Sequence, residues 1–146
     1  MELFALVALV GLLALATLLG IWWRSRQGKV RHDTDSLIDS RYLDPTAAIT
    51  LIQFGSEYCA YCPQQWRLIT DEVAAAPDLA MRSLDISVDS QLAEKLGISQ
   101  TPTTLLVSSG GELLSRIGGL AKRDILQREI AYARQKRRDK NDEYLI

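Results

Sequence analysis

The sequence predicts an α/β fold, a mixed central sheet flanked by helices, following one N-terminal transmembrane helix. Three observations predict it. Residues 3–23 carry no charge, and 18 of those 21 positions are apolar. Beyond residue 46, short β-branched runs alternate with helical periodicities in the order β-α-β-α-β-β-α. Charged residues make up 24% of the chain, with only nine Gly and four Pro, which excludes a disordered or collagen-like chain. At 146 residues there is room for one small domain beside the span and not for two. Two cysteines are too few for a disulfide-stapled miniprotein.

The first element, residues 1–23, reads as an uncleaved single-pass anchor. At a rise of ~1.5 Å per residue, the apolar run over 3–23 gives about 31 Å of helix, the thickness of a bilayer core. A cleaved signal peptide would begin with basic residues and end in small ones. This chain begins Met1-Glu2, and its apolar run ends Ile21-Trp22-Trp23, with the tryptophans suited to the interfacial belt. Arg24, Arg26, Lys29 and Arg31 follow at once. Positive charges resist translocation, so the rest of the chain is expected on the cytoplasmic side of the cell membrane. The extracytoplasmic side is the alternative, because disulfides persist there.

Residues 24–46 read as a polar linker, with a possible helical turn over 36–42. His32, the one histidine in the chain, falls in it and reads as an exposed spacer residue. Residues 47–138 form the globular domain. Ile49, Leu51, Ile52 and Phe54, ended by Gly55-Ser56, make a buried strand. Cys62, Trp66, Ile69 and Val73 recur at helical spacing, placing one face inward. Alternation over 79–88 gives a second strand, 91–96 a short helix capped by Gly97, and 103–107 a third strand. Gly110-Gly111 signals a hairpin into a fourth strand over 112–117, which Gly118-Gly119 ends. Residues 122–137 carry Ile125, Leu126, Ile130 and Ala133 on one helical side, and 139–146 form a charged tail.

The net charge of −1 conceals a division. Residues 1–32 carry +3, residues 33–100 carry −7 and residues 101–146 carry +3. No continuous basic stripe crosses the domain, which argues against a nucleic-acid partner.

The chemistry sits in Cys59-Ala60-Tyr61-Cys62, at the joint between the first strand of the domain and its helix. Helix N-termini offer unpaired N–H groups and the positive end of the dipole, which favour a thiolate. In such a motif a cysteine pKa falls from about 8.5 toward roughly 3.5 to 7.5. Cys59 would attack a disulfide, and Cys62, within one turn, would resolve the mixed disulfide. Zinc and copper sites also use this spacing. Zinc would want two further ligands and finds only the distant His32, so no metal is assigned, although a metallochaperone or a structural cysteine pair stays open.

Ile52-Gln53-Phe54-Gly55-Ser56-Glu57-Tyr58-Cys59-Ala60-Tyr61-Cys62, then Thr101-Pro102-Thr103, then Ile117-Gly118-Gly119-Leu120-Ala121-Lys122 resemble the thioredoxin superfamily in three separate blocks. The resemblance covers roughly residues 46–135. It implies a thioredoxin-like fold and a membrane-anchored thiol-disulfide oxidoreductase. It also implies that Pro102 is the family's cis-proline opposite the active disulfide, and that the Thr101 backbone pairs with an extended substrate peptide. Gly118-Gly119 would be the glycine bend lining the substrate groove, and Tyr58, Tyr61 and Pro102 would form an apolar docking rim. Thioredoxins proper carry a buried aspartate six residues before the first cysteine, where it helps move a proton from the resolving thiol; this chain has Gln53. Its dipeptide is Ala-Tyr rather than Gly-Pro, and Pro63 follows the second cysteine.

The expected function is reduction or exchange of protein disulfides, with protein dithiol or disulfide substrates and an electron-transfer partner. No cofactor is expected beyond the redox-active pair itself. The competing reading is a noncatalytic redox-sensing or metal-binding module of the same fold at the membrane.

Overall fold

The uncharged N-terminal run forms α1 (Glu2–Ser25) in a computed structural model that describes residues 1–25, 29–32 and 36–143. Within it, Phe4–Trp22 has a mean hydropathy of 2.7 and no buried share, so it is long and apolar enough to cross a membrane; a signal sequence meets the same test. The polar Thr17 is accommodated because its hydroxyl folds back onto the Leu13 carbonyl. Arg26, residues 33–35 of the expected linker and residues 144–146 of the expected tail lie outside the described residues.

The elements that follow are β1 (Lys29–Arg31), a 3-10 turn (Ser40–Tyr42), β2 (Ile49–Gly55), α2 (Cys62–Ala74), β3 (Leu79–Asp85), α3 (Ser90–Lys95), β4 (Thr103–Ser108), β5 (Leu113–Gly118) and α4 (Arg123–Glu143). The five strands form one sheet in the order β1-β5-β4-β2-β3. β2 and β3 run parallel, and the other neighbours are antiparallel. This is the expected mixed sheet with helices on both faces.

Every residue of β2 is buried, as befits a central strand covered on both sides. Ile49 and Leu51 face the layer of Ile69 from α2 and Leu126, Ile130 and Ala133 from α4. The alternate residues Ile52 and Phe54 face Leu92, Ala93 and Leu96 around α3, together with Ile38 and Leu43. Both large apolar faces are thereby covered.

The linker is more than a spacer. Lys29, Val30 and Arg31 pair with Gly118, Ile117 and Arg116, and Ile38 and Leu43 enter the core. His32 is anchored rather than free: its Nε2 lies 3.0 Å from Glu129 Oε2, and its ring stacks on Tyr132 at 4.1 Å. A three-residue strand of Lys-Val-Arg at a sheet edge has no sequence signal, because only Val30 turns inward.

Two boundaries also differ. β3 stops at Asp85 because its carboxylate accepts from Ser87 N at 2.8 Å and from the Ser87 hydroxyl, forming a turn that leaves Val88 exposed. α4 runs on to Glu143, into the expected charged tail. Arg134 pairs with Asp78 and Lys140 with Glu112 at 2.8 Å, so its polar end is tied to the domain by charge rather than by apolar burial.

Candidate active site

β2 ends at Gly55, and the chain turns before α2 begins at Cys62. Cys59 N donates to Ser56 O at 3.1 Å and Cys62 N to Cys59 O at 3.3 Å. Cys59 therefore sits in the turn three residues ahead of α2 rather than in its first turn. Pro63 occupies the first helical turn, where its fixed φ suits the helix and its missing N–H costs nothing. No side chain caps this end, so the positive end of the helix dipole stands beside the cysteines without a side-chain acceptor to offset it.

Cys59 and Cys62 form a disulfide with S–S 2.07 Å, a dihedral of 86° and a Cα–Cα distance of 5.4 Å. Both residues are half-buried. The Cys62 sulfur packs on the end of β2: a methyl group added to Gly55 would lie 3.1 Å from Cys62 Sγ. Glycine at 55 thus makes room for the inner sulfur, a role hidden in the sequence behind its reading as a strand terminator.

The Thr101-Pro102 peptide bond is cis, as the resemblance implied. Phe54 pairs with Thr103 across β2 and β4, so Pro102 lies opposite Gly55, at the strand end against which Cys62 packs. Thr103 in turn pairs with Gly118, and Gly119 N donates to Pro102 O at 2.7 Å. Gly119 has φ +79°, a conformation that favours glycine. The three sequence blocks therefore meet at one end of the sheet.

The expected rim is divided. Tyr58 is 88% exposed and Tyr61 45%, whereas Pro102 is buried. Gly118 is buried as well, and the Gln100 side chain occupies the space above it, so at this position Gln100 lies where a groove lining was expected. Thr101 is half-buried. The Tyr58 phenol is pushed up by its hydrogen bond to Glu57.

α2 turns Gln65 and Ile69 fully inward, while Trp66 and Val73 are only half-buried. The spacing from Cys62 to Gln65 to Ile69 was available in the sequence, but a glutamine does not announce a core position. Gln65 Oε1 accepts from Ala121 N at 2.8 Å, tying α2 to the loop after β5. Gln53 is buried behind the site, and its Nε2 donates to Cys62 O at 3.0 Å.

The family model for thioredoxin matches residues 32–132. The chain belongs to the thioredoxin family. A thioredoxin of Chlamydia muridarum is 29% identical over 85 residues, 58% of this chain and 82% of that one. A protein disulfide-isomerase of Datisca glomerata is 31% identical over 81 residues, 53% of this chain but 16% of the isomerase. Among solved structures, the oxidised mitochondrial thioredoxin 3 of Saccharomyces cerevisiae shares the fold, with TM-score 0.53 at 22% identity, over 60% of this chain and 80% of that one. Thioredoxins act on protein disulfides, and with its cysteine pair at disulfide distance this member is a thiol-disulfide oxidoreductase.

Proposed function

We propose that this thioredoxin is a membrane-anchored reductant or exchanger of protein disulfides, held by α1 with its domain on the cytoplasmic side. The observation that carries the chemistry is the Cys59-Cys62 pair ahead of an uncapped helix, packed against the strand end that faces Pro102. In the reduced enzyme, Cys59 as thiolate attacks one sulfur of a substrate disulfide; a Cys59-substrate disulfide forms and the other substrate sulfur leaves as thiolate. Cys62 then attacks Cys59 Sγ, the enzyme disulfide forms, and the second substrate sulfur departs. An electron-transfer partner must reduce the enzyme again, and the two sulfurs are the only redox group the cycle uses.

The Thr101 backbone and Gly119 are assigned to the edge of the substrate groove, with Gly118 behind them under the Gln100 side chain, and exposed Tyr58 and Tyr61 to an amphipathic contact beside it. The anchor reading rests on the length and hydropathy of Phe4–Trp22, and the cytoplasmic side on the four basic residues that follow.

The test is a trap. Cys62→Ser should accumulate proteins joined by disulfide to Cys59, released by a reducing agent, while Cys59→Ser should accumulate none. Equal trapping by both variants would refute the division of labour.

A further inference from the structure

The chain enters the domain from α1 at the active-site end of the sheet. β1 pairs with β5 so that Lys29 stands opposite Gly118 and Arg31 opposite Arg116. Gly118 in turn stands opposite Thr103, and Thr103 opposite Phe54. Lys29 is therefore level with the strand ends that hold Pro102 and the turn of Cys59 and Cys62, whereas Arg31 lies deeper in the sheet. Followed back toward α1, the chain leaves the sheet at that end. The opposite end is where Leu37 bridges to Glu112 and Ile49 pairs with Ser108. The two ends are separated by the length of β2, Ile49–Gly55, about 20 Å at about 3.3 Å per residue.

Reach follows from the same register. β1 stands three strands from β2 in the sheet order, about 14 Å at about 4.8 Å per strand, and residues 26–28 add at most roughly 15 Å between α1 and Lys29. The end of β2, against which the cysteines lie, is thus held within about 30 Å of the end of α1. The surface of that end is unlike the rest. Among the described residues outside α1, the exposed large apolar side chains are Leu37, Tyr58, Tyr61 and Val88. Leu37 belongs to the far end, and the other three to the turns that follow Gly55 and Asp85, which pair with each other. Exposed phenol rings suit the boundary between lipid and water. The same two turns carry Glu57, Asp85 and Asp89 and no basic residue; Lys29 and Lys122 lie across the sheet, on β1 and past β5. Carboxylates there repel anionic headgroups and attract the Lys and Arg side chains that abound in cytoplasmic segments next to membrane spans.

We propose that the substrates are membrane-embedded proteins whose disulfide lies in a basic segment beside the bilayer, and that the domain meets them with the end from which its own tether leaves. The proposal rests on the readings of α1 as an anchor and of Cys59-Cys62 as the exchanging pair, and it names their substrate class. The exchange is the one already written: both substrate sulfurs leave as thiolates while the enzyme pair becomes a disulfide. Selection comes from the tether. Two chains confined to one membrane meet at a high effective concentration, whereas a disulfide standing well beyond about 30 Å from the surface is out of reach while β1 stays docked. Tyr58, Tyr61 and Val88 meet the apolar end of the partner's span, and Glu57 and Asp89 meet the basic residues that follow it.

The experiment places the reduced full chain in lipid vesicles with a transmembrane probe peptide. The probe's span continues into a helical stalk of about 4 or about 40 residues, roughly 6 or 60 Å long at ~1.5 Å per residue. A cysteine at its tip, flanked by Lys, is disulfide-bonded to 5-thio-2-nitrobenzoate, whose coloured thiolate reports the exchange. The native chain should act on the short stalk at least about tenfold faster than on the long one. Inserting about 30 Gly and Ser residues between Gly28 and Lys29, a linker of roughly 30 Å on average and far longer when extended, should bring the two rates within about threefold. Glu57→Gln combined with Asp89→Asn should slow the short-stalk reaction about threefold by weakening encounter. Equal rates of the native chain on both stalks, or a preference that the insertion leaves unchanged, would overturn the proposal, and an unaltered rate in the double variant would overturn its choice of a basic partner segment. A chain that fails to float with the vesicles would overturn the anchor reading instead. Failure to release thiolate from free 5,5′-dithiobis(2-nitrobenzoate) would overturn the reading of the cysteine pair.

Discussion

Cys59 and Cys62 differ in what lies behind their sulfurs. The inner one rests on Gly55, where an added methyl would stand 3.1 Å from it, closer than an unstrained carbon-sulfur contact. In the oxidised protein Cys62 Sγ is bonded to Cys59 and cannot rotate away, whereas a free thiol can change rotamer. Gly55→Ala should therefore lower the stability of the oxidised form by about 1 to 2 kcal/mol and that of the reduced form by less. Thermal unfolding of both forms checks this, and equal losses would place the strain elsewhere. At this scale the cysteines and Thr101-Pro102 are legible, because thiol spacing and proline chemistry are local. Gly55, Gln65 and Gln100 are not, because what each one touches is set by the packing of α2 on β2 or of the Pro102 loop on Gly118.

α4 carries much of the element-scale stability outside the apolar core. Glu129 is buried, and its Oε2 accepts from Ser115 Oγ at 2.6 Å and from His32 Nε2 at 3.0 Å, so one carboxylate joins α4, β5 and the residue following β1. Glu129→Ala should cost about 1 to 3 kcal/mol by leaving the Ser115 hydroxyl buried without its acceptor, and should speed amide exchange at residues 29–31. Urea denaturation with hydrogen exchange measures both, and unchanged exchange there would show that β1 docks without the carboxylate. Further along, Arg134 binds Asp78 bidentately at 2.8 and 2.7 Å, while the Asp78 carbonyl accepts from Ala48 N and Ile49 N at the head of β2. The guanidinium holds the Asp78 carboxyl below its usual range. A depressed carboxylate stabilises the fold above its unfolded pKa and loses that contribution as pH falls through the folded one. Both side chains are more than a third exposed, so screening limits the pair to about 0.5 to 1 kcal/mol. Arg134→Met should be less stable than the native chain by that amount at neutral pH, with the gap closing as pH drops below about 4; a gap that persisted in acid would mean lost packing of the arginine stem. Neither link is visible in the sequence, since the partners stand 97 and 56 positions apart. The helices and strands β2 to β5 are visible, because each announces itself within a dozen residues, whereas β1 is not.

At the scale of the whole molecule, one apolar helix and one redox domain are separated only by residues 26–28. At about 3.3 to 3.6 Å per residue, that tether holds β1 within roughly 15 Å of the last turn of α1, so the domain works beside whatever surface α1 enters. Phe4–Trp22 spans about 28 Å as a helix, near the ~30 Å hydrocarbon core, and none of its window is buried against the domain. The protein should therefore stay with the membrane after an alkaline carbonate wash, and its release would mean a peripheral helix or a cleaved one. The proposed sidedness rests on charge: Arg24, Arg26, Lys29 and Arg31 stand directly after the span. Moving four positive side chains across the bilayer opposes the usual bias of short flanking segments, so the domain should remain on the cytoplasmic side. A reporter fused after Ile146 that works only when exported should be silent. Replacing Arg24, Arg26, Lys29 and Arg31 with Gln should raise its signal, because the bias then disappears. An active reporter on the native chain would place the domain outside, where the same cysteine pair would meet an oxidising set of partners.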